Sequence, residues 1–314
     1  MKWTAGPDAA GVRLDKFLAA ADRAGSRARA LSALERGKVL VNGDEAGVND
    51  ASRRLIPGDV VRLWLDRPGS AVRRPRSGHR GGLDVVYEDD VLLVVNKPAG
   101  LLTVPLERKG AAPSVYALIA EQVRSHGKRR PFVVHRIDQD SSGVVIFAKD
   151  SHARDTLQEQ FKRREPERLY HAVVYGHLTP ESGTWRDRLV WDSKALIQKP
   201  TRQGDPRGLD AISEYRVVER FEQASLIEVR LRTGRRNQIR MQASLRGHPL
   251  VGEERYIENT PARKIRFKRQ ALHASRVAFD HPVDGRRLDV QAPMPKDLQD
   301  LLARLRRRRA PGGQ

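Results

Sequence analysis

Residues 135–150 read HRIDQDSSGVVIFAKD. The apolar run 144–147 offers no polar residue to either face, so it reads as a short strand buried on both sides. Ahead of it come His135, Arg136, Asp138, Asp140 and a Ser-Ser-Gly turn. Two carboxylates beside an Arg, at the mouth of a buried strand, have two readings. One is a solvent-facing turn with a surface ion pair, the ordinary place for a carboxylate in a turn. The other is a site built on an acid.

Outward from this stretch, strands and helices mix without a regular βαβ rhythm. A strand at 91–95 is stopped by Lys97-Pro98-Ala99-Gly100, and 114–127 reads as a helix with Val115, Leu118, Ile119 and Val123 on one face. Ser151 is placed to cap a helix running through Leu157 and Phe161, followed by a strand at 170–175. In SLIEVRLR (225–232), Ile227, Val229 and Leu231 alternate with Glu228, Arg230 and Arg232, as in a half-buried strand. A Thr-Gly-Arg turn leads to a short helix that Gly247 and Pro249 stop. The mixture predicts an α+β fold with a largely antiparallel sheet flanked by helices over 83–300, then a frayed basic tail over 301–314.

Residues 11–65 read as a small separate α/β unit. Leu14, Phe17 and Leu18 fall at helical spacing; Ser26 opens a second helix that carries Leu31 and Leu34 and ends at Gly37. KVLVNG (38–43) is a strand closed by an Asn42-Gly43 hairpin turn, and GDVVRLWL (58–65) is another strand. Arg23, Arg27, Arg29, Arg36 and Lys38 would give this unit a phosphate-contacting surface. The stretch 66–82, DRPGSAVRRPRSGHRGG, has almost nothing that enters a core and reads as a basic flexible linker.

Charge points to the partner. The 314 residues hold 59 Lys and Arg against 39 Asp and Glu, a formal net charge of +20. Such a field attracts polyanions, nucleic acid ahead of an acidic membrane surface. With no Cys, disulfides, thiol catalysis and Cys-ligated metals are excluded. No metal-ligand spacing accompanies His135, and neither metal nor cofactor is expected. Nothing resembles a signal peptide or a membrane span, so the expectation is a cytoplasmic, soluble monomer with no required protein partner.

A second constellation bears on the acid. LRTGRRNQIR (231–240) sets Arg232, Arg235, Arg236 and Arg240 around a Gly turn at the end of an amphipathic strand. If the two turns face each other, Asp138 gains the guanidinium that a buried carboxylate needs to stay ionised. An anion so held in a basic cleft is a nucleophile or base aimed at nucleic acid.

HRIDQDSSGVVIFAKD is similar to the signature of the RluA family of pseudouridine synthases. Other blocks of that family follow in order: YEDDVLLVVNKPAGLLTVP (87–105), ERLYHAVVYG (167–176), LRTGRRNQIRMQASLRGHPLVGEERY (231–256) and QALHASRVAFDHPVDG (270–285). The N-terminal segments RLDKFL (13–18), SRARA (26–30), RGKVLVNG (36–43) and PGDVVRL (57–63) resemble the RNA-binding domain first described in ribosomal protein S-four.

The resemblance implies an isomerase with the pseudouridine synthase fold. It would detach uracil from ribose, rotate it and rejoin it through carbon, most naturally in large-subunit ribosomal RNA. Asp138 falls on the catalytic aspartate and Arg235 on the Arg that pairs with it. Tyr170 falls on a Tyr that stacks on the target base. Arg136 falls on a residue that fills the space left by the flipped base, and Ile239 on an apolar wall of the pocket. His135 and Arg240 join the expected substrate-binding set; Lys97 is expected to fix a turn or meet phosphate. A base must leave its stack before chemistry reaches it, and flipped bases stack on aromatics.

Three departures accompany the resemblance. Arg236-Asn237 stands where the family commonly has Thr-His, Gln242 where it commonly has His, and Arg168 where it has Lys. The alternatives are a transfer-RNA enzyme, a catalytically degenerate ribosome assembly factor, and a base-removing glycosylase.

Overall fold

The computed structural model describes residues 1–64, 78–80, 82–105, 113–124, 130–257 and 265–309. The chain divides into two compact units, Met1–Arg74 and Pro75–Gln314. In the first, strands β1 (Lys2–Thr4), β2 (Val39–Val41), β3 (Asp44–Ala46) and β4 (Val60–Leu63) form an antiparallel sheet in the order β1-β4-β2-β3. Helices α1 (Leu14–Leu18) and α2 (Arg27–Glu35) lend Leu14, Leu18 and Leu34 to the same core as Val39, Val41, Val61 and Leu63. Ser26 Oγ accepts the Arg29 amide at 3.2 Å and so caps α2. Asn42 and Gly43, both at positive φ, make the hairpin turn between β2 and β3.

Most of the second unit is one sheet. Its strands are β5 (Gly78–Arg80), β6 (Leu83–Glu88), β7 (Leu92–Lys97), β8 (Phe132–Val133), β9 (Ser142–Ala148), β10 (Glu167–Tyr175), β11 (Ser182–Asp192), β12 (Ile197–Pro200), β13 (Leu209–Arg220), β14 (Ala224–Leu231), β15 (Leu272–Asp280) and β16 (Arg287–Gln291). The main path runs β12-β11-β13-β14-β10-β15-β9-β7-β6-β5, with β16 beside β15 and β8 beside β9. Every pairing is antiparallel except β9 with β15. The fold is therefore α+β with a mainly antiparallel sheet, and its two antiparallel halves meet at one parallel joint. Gly143 makes that joint: at φ +117°, a Cβ there would lie 2.1 Å from the Ala274 carbonyl oxygen, so only glycine lets β9 approach β15.

Helices α3 (Val115–Arg124), α4 (Ser151–Arg163), α5 (Gln238–Leu245) and α6 (Lys296–Arg309) cover the sheet. All seven residues of β9 are buried, because α4 covers Val144 and Ile146 while α3 covers Val145 and Phe147. That two-sided cover is why GVVIFA shows no alternation. Along β10 the faces separate: Ala172 and Val174 join the core of α5, Val173 and Tyr175 that of α6.

Three expectations need correction. Asp150, not Ser151, caps α4, its carboxylate accepting the Ala153 amide at 2.8 Å. Of the expected linker, 66–77 and 81 lie outside the described residues, but Gly78–Arg80 is a strand paired with Leu83–Val85, because backbone hydrogen bonding needs no apolar side chains. The expected tail is helical to Arg309: Leu298, Leu301, Leu302 and Leu305 are buried against the sheet, and only 310–314 fall outside the described residues.

Candidate active site

The 135–141 segment enters β9 beside the parallel joint and is fastened from several sides. The buried Lys97 donates from Nζ to the carbonyls of Pro98, Leu101 and Gln139 at 2.8, 2.7 and 2.7 Å. Three donated bonds require the ammonium form, although burial pulls its pKa down to about 7. Thr103 Oγ1 donates to the Ile137 carbonyl at 2.9 Å, and Arg269 donates to the Asp140 carbonyl at 3.1 Å. The Ser141 amide closes the turn onto the Asp138 carbonyl at 3.2 Å. Lys97 is thus a turn-fixing residue.

Asp138 opens into a cavity of ≈ 220 Å³ lined by Arg136, Ile137, Ser141, Tyr170, Arg235, Arg236, Asn237 and Ile239, among others. The size suits one base rather than a drug-sized ligand, which needs about 300–1,000 Å³. Tyr170 reaches the cavity from β10, where a bulge between Leu169 and Tyr170 breaks the register with β15. Bulges beside active sites re-aim side chains in this way. Burial, with Asp138 nearby, raises the pKa of the Tyr170 phenol, so its hydroxyl stays protonated. The buried Ser141 Oγ on the cavity wall has no hydrogen-bond partner among the described residues.

The guanidinium beside Asp138 belongs to Arg240, with Nη1 3.4 Å from Oδ2. Its Nε and Nη2 donate to the two carboxylate oxygens of Glu253, both at 2.7 Å. Glu253 is fully buried and also accepts the Arg255 amide at 2.9 Å. Burial disfavours the Arg240 charge, but Glu253 more than offsets it and the net shift is upward. Arg235, expected in that place, donates instead from Nε to the Asp210 carbonyl at 3.0 Å and lines the cavity rim. The reason is helical: Arg235 precedes α5, whereas Arg240 lies within it, between Glu253 and the 135–141 turn.

Arg136 is exposed at the mouth and Ile239 is buried in the wall, so both meet the cavity. His135 does not line it. Its ring stacks on Phe161 at 4.7 Å, and Nε2 accepts the Ile146 amide at 3.1 Å. Burial, and then Arg168, lower its pKa to about 3, so the ring is neutral and structural. In the N-terminal unit, Arg29 and Arg36 are exposed and Lys38 is half-buried. Arg27 is committed to Asp15 at 2.8 Å. Arg23 lies 3.5 Å over the Phe17 ring and donates to the Phe17 carbonyl, which makes it a strut.

Sequence reasoning missed Glu253, Asn237 and Tyr256 as site residues. Asn237 had a signal, since it departs from the family pattern. The other departure, Gln242, lies off the cavity: it is buried and ties α5 to Asp187 and the Ala211 carbonyl at 2.8 and 3.0 Å.

Comparison with known proteins defines the class. A family model described as RNA pseudouridylate synthase matches residues 91–245. An uncharacterized RNA pseudouridine synthase of Bacillus subtilis, YlyB, is 35% identical over 309 residues, covering 97% of both chains. The ribosomal large subunit pseudouridine synthase D of Zymomonas mobilis is 36% identical over 304 residues, covering 94% of both. In fold, human RNA pseudouridylate synthase domain containing 4 superposes with a TM-score of 0.59 at 21% identity, over 71% of this chain and 92% of that one. These matches define an isomerase that acts on RNA. The chain belongs to the RNA pseudouridine synthases, in their RluA branch.

Proposed function

We propose that the enzyme converts uridine to pseudouridine in large-subunit ribosomal RNA, with Asp138 as its reactive carboxylate. The observation that carries this reading is the placement of Asp138 in a base-sized cavity, beside an Arg240 that Glu253 already holds. The rRNA substrate is supported by relatives whose names specify the ribosomal large subunit.

In this reading Arg136 enters the stack as the target uridine flips out, and the base lies against Tyr170 with Ile239 behind it. Asp138 then either attacks the anomeric carbon or takes the neighbouring sugar proton to give a glycal. The N1–C1′ bond breaks in both routes. The uracil turns within the cavity and the C5–C1′ bond forms. As it forms, the Asp138–C1′ bond of the first route breaks, or Asp138 returns the sugar proton in the second; the proton on C5 leaves and N1 gains one, so atoms balance without a co-reactant. Arg240 sets a positive charge beside Asp138, and Ser141 Oγ is free to bond a polar edge of the base. Arg235 and Arg236 at the rim, with Arg29, Arg36 and Lys38 of the N-terminal unit, meet phosphates.

The test is tritium release from RNA labelled at uracil carbon five, with large-subunit ribosomal RNA and bulk transfer RNA in parallel, using wild type and Asp138→Ala. Release from ribosomal RNA by wild type alone supports the whole reading. Release from transfer RNA alone keeps the chemistry and overturns the substrate. Release by Asp138→Ala overturns the assignment of the acid.

A further inference from the structure

Asn237 precedes α5 with φ 53° and ψ 25°, in the left-handed region, yet its side chain makes no capping hydrogen bond to the helix. Asn tolerates that backbone better than most residues. Its amide is used elsewhere. One end lies 2.9 Å from the Tyr256 hydroxyl and the other lies 2.9 Å from both oxygens of Asp138. The end facing Asp138 is the nitrogen, because an amide oxygen there would oppose two carboxylate oxygens. The Tyr256 oxygen already accepts the Gln198 amide at 2.8 Å. Its own proton is therefore available to Asn237 Oδ1, which fixes which way the amide points.

We infer that Asn237 and Tyr256 are positioning residues for the reaction, holding the Asp138 carboxylate in one rotational setting through a directed chain from Gln198 to Tyr256 to Asn237. The inference rests on the reading of Asp138 as the reactive acid. It assigns a role to a residue that departs from the family pattern: the Asn amide nitrogen sits 2.9 Å from both carboxylate oxygens and shares its donation between them, while its oxygen accepts from the Tyr256 hydroxyl. It also explains why Tyr256 is buried. The ring packs with Leu189, Ala211 and Met241 and lies 5.3 Å from the Arg240 guanidinium. The Tyr256 amide points to Glu253 Oε1 at 3.4 Å. Both holders of Asp138 thus anchor on one short turn, Arg240 through the side chain of Glu253 and Asn237 through the hydroxyl of Tyr256.

The variants are Asn237→Gly, Asn237→Asp, Tyr256→Phe and the Gly/Phe double. Glycine keeps the left-handed backbone unstrained while removing the amide. Single-turnover rates at saturating RNA and RNA affinity are measured separately. Asn237→Gly is expected to slow the rate about 10- to 100-fold with affinity within about 2-fold, as for loss of an oriented donor. Asn237→Asp, carboxylate against carboxylate, falls further. Tyr256→Phe falls about 3- to 10-fold, and the double variant is no slower than Asn237→Gly, because the two act in series. Wild-type rates in Asn237→Asp, or full additivity in the double, would overturn the inference.

A second readout does not depend on activity. In NMR spectra of the full chain, the Asn237 side-chain amide protons should be shifted and slow to exchange, and both properties should be lost in Asp138→Ala. A freely exchanging amide overturns the inference even where the wild type is active. A wild type that makes no pseudouridine, with the amide protected, removes the functional reading and leaves the hydrogen-bond chain standing.

Discussion

Of the aspartates paired with arginine, Asp15 and Asp138 are built in opposite senses. In the N-terminal unit Asp15 is buried, 2% exposed, while its partners Arg13 and Arg27 are 43% and 64% exposed. In the second unit it is the arginine that is buried: Arg240 is 9% exposed, Asp138 25%. Asp15 takes several charge-assisted bonds from Arg13 and Arg27 at 2.8 to 3.1 Å and accepts the Lys16 amide as well. Asp138 has a single 3.4 Å contact with its guanidinium, whose better bonds go to Glu253. A carboxylate whose lone pairs are all taken is a strut. A carboxylate beside a cation satisfied elsewhere, and steadied by one neutral amide, keeps a face open to the cavity.

The hardest test of this contrast is removal of each acid in turn. Asp138→Asn is expected to lower pseudouridine formation by roughly 10⁴-fold or more while leaving thermal unfolding nearly unchanged, because a partly exposed group held by one long guanidinium contact and the Asn237 amide ties little of the core together. Asp15→Asn should do the reverse. It leaves two guanidiniums facing a neutral amide, and should weaken the N-terminal unit by about 1–3 kcal/mol with the saturating single-turnover rate intact. Amide exchange along Leu14–Leu18, read in the full chain, reports the first effect; tritium release reports the second.

Glu253→Gln comes next in size. It strips the anchor from Arg240 and leaves a buried cation partly unpaired, which costs about 3–5 kcal/mol. Arg240 should then drift, and the rate should fall about 10- to 100-fold. Arg240→Lys is not a rescue, since a point charge cannot span both Glu253 oxygens and Asp138 at once. If Glu253→Gln matched wild type in both rate and melting, the distinction between a satisfied cation and a working acid would collapse.

Parts of this arrangement were legible in sequence and parts were not. The turn bearing Asp138 and the buried strand behind it were visible because short local patterns encode them; Tyr170 was singled out only by the family resemblance. Ser26 and Asn42-Gly43 were visible because caps and hairpins are chosen by one or two residues. The strands β11 and β13 were not seen: SGTWRDRLVWD and LDAISEYRVVER carry charges through much of their length, and a register shift between Val217 and Glu219 breaks the alternation. The family resemblance put Arg235 beside Asp138 and Arg240 in the substrate-binding set, whereas the structure sets Arg240 beside the acid. That placement needed the position of Glu253, on a turn beyond α5. A packed role for His135 was one reading of the sequence beside substrate binding, but its partners Phe161 and Ile146 were hidden because they lie on other elements.

Acid sharpens the contrast further. The Arg13 hydrogen bond, opposed by burial and joined by Arg27, holds Asp15 down to about 2, against an ordinary carboxylate value of about 4. A depressed folded-state pKa means that the stabilisation is complete above the unfolded value and is lost as pH falls through the folded one. The N-terminal unit of wild type should therefore lose this contribution between about pH 4 and pH 2, and Asp15→Asn should show a smaller acid step, the part that the buried Asp59 retains. Titration of the Asp15 carboxyl by NMR checks the window directly.

The smallest expected effect concerns arginines that no carboxylate holds among the described residues. Arg29 and Arg36 are exposed, whereas Arg27 is bonded to Asp15 and Arg23 is stacked on Phe17. An arginine already held by an acid has less charge to give a phosphate, so the free pair should carry the RNA contact. Arg29→Ala or Arg36→Ala should each weaken RNA binding modestly and reduce the slope of log K against log salt by about 1, the signature of one lost phosphate contact. Arg23→Ala should leave that slope unchanged and lower stability instead, through the lost ring contact. Measured together, the salt slopes and melting curves sort the basic residues of this unit into those that bind and those that brace. A reversed order, with Arg23 setting the slope, would mean that burial by an aromatic ring does not withdraw a guanidinium from RNA.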